Sequence, residues 1–343
     1  MALPAPFPWF GGKSRVAPLV WERFGDVRNY VEPFFGSGAM LLGRPTEPGT
    51  ETANDRDGFI ANFWRAVKHS PEETAEWADW PVNENDLHAR HTWLRANGVD
   101  LVPRLEANPD WHDARIAGWW VWGVSCWIGG GFCGDSGSGP WVVVDGRLVD
   151  SRQLPHLGDA GHGVSRSRPD LGDAGRGVIR KLPHLGDAGR GRCSEWFAAL
   201  SARLARVRIC SGDWSRVCGP AVTFRHGLTG VFLDPPYSSA SGIDSSGLYA
   251  HAEGSRDVAH AVREWALANG DNPLLRIALC GYAGEHDMPG WTEVQGRSTH
   301  GASMGQSKVT TNSARERIWF SPHCLTKQKE VEAQVGLFKT EEE

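Results

Sequence analysis

Tyr30-Val31-Glu32-Pro33-Phe34-Phe35-Gly36-Ser37-Gly38-Ala39-Met40 is the stretch from which the fold is read. A β-type run enters a glycine turn, and an apolar stretch from Ala39 to Leu42 follows, so the order is strand, loop, helix. Gly36 and Gly38 let the backbone pass close to a bound ligand, and the helix N-terminus offers N–H groups to a carboxylate or phosphate. One Gly-x-Gly turn can equally be a plain structural turn. The Gly-x-Gly-x-x-Gly spacing of a dinucleotide site is absent, because Leu41 stands at its third position, so a different cofactor is favoured.

Outward from this stretch the same alternation continues. A second-strand position precedes Asp55, followed by the amphipathic run Phe59 to Val67. Ile209-Cys210-Ser211 and Val231-Phe232-Leu233 read as strands, and a helical stretch runs from Asp257 to Ala268. Arg276 to Tyr282 and Arg317 to Phe320 read as further strands. Strands alternating with helices predict an α/β fold, a mostly parallel sheet with helices on both faces.

Asp234-Pro235-Pro236-Tyr237 follows the strand Val231 to Leu233. Proline fixes φ and removes a donor, so the turn is stiff and its carbonyls remain free to accept. The Asp234 carboxylate and the Pro235 carbonyl match the two protons of an exocyclic amine, and the Tyr237 ring offers the attached base a stacking face. Alone, Asp-Pro-Pro is often an ordinary turn.

With their partners, these residues resemble the adenine-specific DNA methyltransferases of the Dam type. Four blocks match in order: Pro8-Trp9-Phe10-Gly11-Gly12-Lys13, Val31 to Met40, Asn54-Asp55-Arg56-Asp57, and Asp234 to Tyr237. The resemblance covers the first sixty or so residues and roughly 195 to 322. It implies a Rossmann-like methyltransferase sheet with an antiparallel strand near its end, S-adenosylmethionine as cofactor and double-stranded DNA as partner. It also implies methyl transfer to the amino group of a flipped-out adenine. Asp234, Pro235, Pro236 and Tyr237 are then catalytic, with Tyr237 stacking the flipped base. Cofactor contacts fall on Trp9, Lys13, Glu32, Pro33, Phe34, Gly36, Gly38, Asp55, Asp213 and Asp234. Asp55 would hold the ribose hydroxyls or, alternatively, cap the helix from Phe59. Lys13 closes over the reaction centre or is a solvated lysine, and Asp213, with Trp214, grips the cofactor adenine or forms a surface turn.

The order of cofactor loop, recognition region and catalytic motif resembles the alpha arrangement of amino-methyltransferases, free-standing or part of a restriction-modification system. An N4-cytosine methyltransferase and a DNA-binding protein that has lost catalysis are the alternatives. Asp before Pro-Pro favours adenine by family analogy, and intact Lys13, Asp55 and Asp234 argue against lost catalysis. The polar readers that would imply recognition of GATC are not evident in Trp119 to Cys133.

The 343 residues fit one catalytic domain carrying a large insertion: 1–68 and 193–323 form the catalytic part, 69–192 the target-recognition insertion, and 324–343 a Lys- and Glu-rich tail read as loosely held. No run approaches a membrane span and Met1 to Trp9 is no signal peptide, so a cytoplasmic protein without a membrane partner is expected. The 7 cysteines form no C-x-x-C pair, and reduced structural thiols are expected. His88 and His91 could share a helix face but lack a third ligand, so no metal site is assigned. The Trp-rich region from Trp64 to Trp141, including Trp119-Trp120-Val121-Trp122, reads as the core of a small helical subdomain.

A net charge of −5 does not advertise nucleic-acid binding, so DNA affinity needs a local basic surface. Within 154–192 the unit Leu154-Pro155-His156-Leu157-Gly158-Asp159-Ala160-Gly161 recurs from Arg168 and again from Leu182, with a period of fourteen residues. Pro and Gly in each unit exclude a continuous helix. Arg166, Arg168, Arg176, Arg180, Lys181 and Arg190 are the candidate DNA contacts, and a passive linker is the alternative. If the cations track phosphates, removing 166–181 weakens binding to all DNA sequences alike and flattens the salt dependence, because fewer counterions are released. Affinity measured against salt, unchanged in slope and magnitude, would identify a passive linker.

Overall fold

The computed structural model describes residues 3–9, 13–47, 49–127, 132–133, 141–144, 147–150, 190–236, 255–296 and 315–326. Its centre is a seven-stranded sheet built from β1 (Asn29–Glu32), β2 (Thr50–Asp55), β5 (Val207–Ser211), β6 (Thr229–Leu233), β7 (Leu275–Tyr282), β8 (Thr292–Gln295) and β9 (Glu316–Phe320). Their order across the sheet is β5-β2-β1-β6-β7-β9-β8. The first five are mutually parallel, while β9 runs antiparallel to both β7 and β8. The expected α/β class with an antiparallel strand near the end is what the chain adopts. A separate hairpin, β3 (Trp141–Val144) with β4 (Arg147–Asp150), lies in the insertion.

Side chains alternate across the sheet with period two. Tyr30, Phe232, Ala278, Cys280, Ile318 and Phe320 point into one core, and Val31, Val231, Leu233, Ile277, Leu279 and Trp319 into the other. The first core is covered by α1 (Ala17–Phe24), α3 (Gly58–His69) and α8 (Arg190–Leu204) and the second by α9 (Ser255–Asn269). Both faces are therefore dry, which suits the apolar runs of the parallel strands.

The run Phe59 to Val67, read as amphipathic, is buried all round as the middle of α3. It lies between the sheet and α7 (Ala114–Cys126), so no face meets solvent and the polar members need partners. Asn62 exchanges hydrogen bonds with the Asp113 backbone at 2.9 and 2.8 Å, and Arg65 donates to the Leu105 carbonyl at 2.8 Å. α3 stops at Ser70 because Pro71 opens α4 (Pro71–Ala78) at a position where its missing N–H costs nothing.

The tryptophans read as a separate helical subdomain divide between two cores. Trp64 and Trp120 share the cluster of Tyr30 and Phe232, continuous with the sheet, while Trp122 joins Leu87 and Cys126 in a small satellite against which Trp127 packs. β8 had no signal in the sequence, since Thr292-Glu293-Val294-Gln295 is short, polar and mostly exposed, as suits an edge strand. Cys324, read as the start of a loose tail, is buried, and Leu325 is tied to α1 by Leu325 N–H to the Arg23 carbonyl at 2.8 Å and Arg23 Nη1 to the Leu325 carbonyl at 3.0 Å.

One charged cluster braces the sheet from within. The buried Glu51 carboxylate accepts from Arg203 Nη1 at 2.6 Å, Arg203 Nη2 at 2.9 Å and Arg44 Nη1 at 3.2 Å, linking β2 to α8 and to the segment after α2 (Ala39–Leu42). Removing one member of a buried charge cluster leaves the others unpaired. Glu51→Ala is expected to lower the unfolding free energy by about 3–5 kcal/mol in a urea titration; a loss below about 1 kcal/mol would show the cluster to be solvated.

Candidate active site

The parallel strands end on one edge: β1 at Glu32, β2 at Asp55, β5 at Ser211 and β6 at Leu233. From β1 the chain steps outward to β2 and β5, then returns to β6 on the other side of β1. This reversal opens a crevice beyond the carboxyl ends of β1 and β6, the usual ligand position in open α/β sheets.

The loop after β1 is held by its neighbours at almost every polar group. Glu32 is buried, accepting from the Tyr30 hydroxyl at 2.9 Å and from the Leu41 backbone. Burial pushes its carboxyl well above the ordinary range, only partly offset by the Tyr30 bond, and the Asp234 charge adds to the rise. Gly36 sits at φ +46°, donating its N–H to Asp55 Oδ2 at 2.9 Å while its carbonyl accepts from Trp64 Nε1 at 2.9 Å. The Trp9 indole lies against it so closely that a Cβ at Gly36 would come within 2.7 Å of the ring. Gly38, at φ +67°, turns the chain into α2, which is a single turn. The helix N-terminus expected to offer free donors has spent part of that set: Gly38 N–H bonds the Phe35 carbonyl at 2.8 Å and Leu41 bonds Glu32.

Asp55 closes β2. Besides Gly36, it accepts from Asp57 N–H at 2.9 Å, and the burial of the carboxyl, reinforced by the Asp57 charge, pushes it up to about 7. The helix cap considered for Asp55 belongs to Asp57, whose Oδ1 accepts from Phe59 N–H at 2.8 Å. Two residues before that cap, Asp55 instead joins β2 to the Gly36 loop.

Asp213, just beyond β5, is exposed, and its Oδ1 accepts from the Ser215 N–H at 3.0 Å and hydroxyl at 2.6 Å, capping the short turn Trp214–Val217. Trp214 faces Phe34 of the β1 loop with ring centroids 6.3 Å apart and planes inclined by 26°. Between the two turns lies Asn54, wholly buried, whose Nδ2 donates to the Pro33 and Gly212 carbonyls, both at 3.0 Å.

At the β6 end, Lys13 Nζ meets Asp234 Oδ1 at 3.1 Å, with side chains only 10% and 20% exposed. A buried lysine in an N-terminal turn is thus paired with a carboxylate more than two hundred residues away. Pro235 is buried and Pro236 half-buried. Tyr237 lies outside the described residues, as do Arg166, Arg168, Arg176, Arg180 and Lys181; Arg190 opens α8, with its side chain outside the described set.

Two residues near the crevice were not singled out by the sequence. Cys280 on β7 is buried among the charges of Lys13, Asp234 and Glu32, and burial raises its thiol well above the usual range. Tyr282, at the β7 terminus, is half-buried with the Arg315 guanidinium 5.6 Å from its ring centre. Their only sequence signal was that β7 ends on the same edge as β6. His91 stacks on Trp127 at 4.8 Å, and burial lowers it to about 4, which describes a packed ring. Among the described residues no group of three His, Cys, Asp or Glu side chains could hold a metal ion, and no helix is long and apolar enough to cross a membrane.

Residues 9–98 match the family model for the D12 class N6 adenine-specific DNA methyltransferase. That match supports an adenine DNA methyltransferase family over the first quarter or so of the chain. No curated protein matches it. The matched segment holds Trp9, Lys13, the Gly36 loop and Asp55, and ends before Asp234. The Lys13–Asp234 pair therefore joins the part of the chain that matches the family to a part that lies beyond the match.

The raised Asp55 carboxyl has a consequence for stability. Its pKa is higher in the fold than in the unfolded chain, so its contribution is fully present below about pH 4, the unfolded value, and is lost as pH rises through about 7. The stability of the native protein minus that of Asp55→Asn should fall between these limits and stay flat beyond them. Denaturant titrations of both proteins over that range check this; a constant difference would show the carboxyl to be solvated.

Proposed function

We propose that the crevice binds S-adenosylmethionine and that the chain methylates the N6 amino group of an adenine flipped out of double-stranded DNA, at a specific target site. The observation that carries this reading is the Lys13–Asp234 ion pair at the mouth of the β1/β6 crevice. The surrounding residues suit such a cofactor. Asp55 is a carboxylate whose remaining lone pairs can accept from ribose hydroxyls. Phe34 and Trp214, partly buried and stacked on each other, join the turns after β1 and β5. Gly36 and Gly212 both sit at positive φ, with Trp9 packed where a Cβ would stand at the first and Arg216 at the second. When bound, S-adenosylmethionine supplies an already activated methyl group, so the chain's task is positioning.

An adenine amino nitrogen is a poor nucleophile because its lone pair is drawn into the ring. Lys13 compensates the Asp234 carboxylate beside the buried Glu32, so a charged acceptor persists in a nearly dry place. Asp234 and the Pro235 carbonyl accept the two amine protons, and that bonding strengthens as positive charge builds on the nitrogen. Tyr237 stacks the extruded base. The basic side chains from Arg166 to Arg190 hold phosphates.

Asp234→Ala is expected to abolish methyl transfer while leaving DNA affinity within about threefold, because phosphate contacts carry most of that affinity. Expression in a methylation-free bacterial host, with modified bases mapped across the genome, reads both the base and the target site. Methylated cytosine in place of adenine, or full activity in Asp234→Ala, would overturn the assignment.

A further inference from the structure

The geometry points to Asn54 as a positioning residue that sets the distance between the two turns gripping the cofactor, an inference that rests on the reading of the crevice as a cofactor site. Asn54 is the penultimate residue of β2, between β1 and β5 in the sheet, and its side chain is wholly buried. Its amide donates both protons outward along the sheet edge. One goes to the Pro33 carbonyl in the turn after β1 and the other to the Gly212 carbonyl in the turn after β5, each at 3.0 Å. The main chain repeats the pattern: Phe35 N–H bonds the Asn54 carbonyl at 2.9 Å, and Gly212 N–H bonds the Asp55 carbonyl at 3.1 Å.

The ladder partners of β2 end at Glu32↔Ala53 on one side and Asp55↔Ser211 on the other. Pro33 and Gly212 each lie one residue beyond, where strand pairing no longer fixes the chain. The residues these turns carry are the ones the cleft needs: Phe34 and Gly36 on one, Asp213 and Trp214 on the other. Phe34 and Trp214 stack on each other, joining the two turns, and the Asn54 amide is a second cross-brace between the same turns. No other neutral side chain of this length offers two protons on one nitrogen, which is what two diverging carbonyls require. Asn54 Oδ1 is buried without a hydrogen-bond partner among the described residues, so the side chain is held by its donors alone. A residue selected only to fill the core would not leave an acceptor stranded there.

The test uses the full chain, titrated with S-adenosylmethionine by calorimetry and assayed on methylation-free DNA. Asn54→Ala should raise the cofactor Kd and KM about tenfold, leave kcat at saturating cofactor within about threefold, and leave the KM for DNA unchanged, as expected when ground-state and transition-state binding are lost together. Asn54→Asp keeps the shape but, when ionised, offers no proton to either carbonyl. Protonation restores one donor, so its cofactor affinity should recover as pH falls from about 8 to about 5. In the native protein the ionised Asp55 is the better acceptor, and affinity should move the opposite way. A cofactor KM within twofold of native in Asn54→Ala, whatever the loss of melting temperature, would make Asn54 ordinary core packing. Should that variant fail to fold, an Asn54→Asp profile parallel to the native one would overturn the proposal equally. A native protein that releases no heat with the cofactor would sink the proposed function itself, a separate outcome from a native protein that binds while Asn54→Ala binds as well.

Discussion

The pairing of β1 with β6 is the constraint on which the site depends. In sequence these strands are about two hundred residues apart, yet Asn29↔Thr229, Tyr30↔Gly230 and Val31↔Val231 lie side by side in parallel register. A slip of one residue would turn Tyr30 and Phe232 from one core into the other. Two local features resist that slip. The Asn29 amide, fully buried, donates to the Val222 carbonyl at 2.8 Å and to the Thr229 hydroxyl at 3.1 Å, locking the starts of the two strands. Gly230 admits the Phe24 ring so closely that a Cβ would lie 2.9 Å from it. With the starts fixed and both strands short, their ends can differ little, and Glu32 and Asp234 arrive at the same crevice.

Burying carboxylates at that crevice is costly, and the way the cost is met shapes the site. Glu32 is met by a phenolic hydroxyl and a backbone donor, Asp55 by two backbone N–H groups, and Asp234 by an ammonium. Only the last partner is a mobile, charged side chain on a flexible stem. The first two arrangements fix loops, while the third leaves a carboxylate that a neutral donor can approach once the ammonium shifts. Glu32 thus serves the geometry of the Gly36 loop, and Asp234 is the carboxylate held by a side-chain cation.

Much of this was legible in the sequence because it is written in short local signals. Strands ending in glycine or proline turns at Gly36, Gly212 and Asp234 announced both the alternation and the edge on which ligands bind. What escaped was determined by distance. Glu51 looks like any strand glutamate until Arg203 comes within 2.6 Å, and the run Phe59 to Val67 looks amphipathic until α7 covers its polar side. Asn54 was read only as the first residue of the block that carries Asp55, since nothing local shows that its amide will bridge Pro33 and Gly212. Of the tryptophans read as core, Trp64, Trp120 and Trp122 are buried while Trp80 is exposed, and whether a ring packs on its own helices or on the sheet depends on where α3 sits, which no local pattern encodes. The edge strand β8 left no hydrophobic trace because it has one face at most to bury.

The place of the insertion in the chain follows from the same topology. It falls between β2 and β5, adjacent parallel strands whose connection must cross over the sheet and can be long without disturbing their pairing. α8 closes that crossover. Its Phe197 and Leu200 pack in the sheet core, Ser201 donates to the Lys68 carbonyl at 2.8 Å, and Arg203 reaches Glu51. α3 and α8 are thus anchored to each other and to β2, while α7 between them adds Trp120 to the same sheet core. The helix that ends the crossover is fixed to β2 by a buried glutamate held by two arginines.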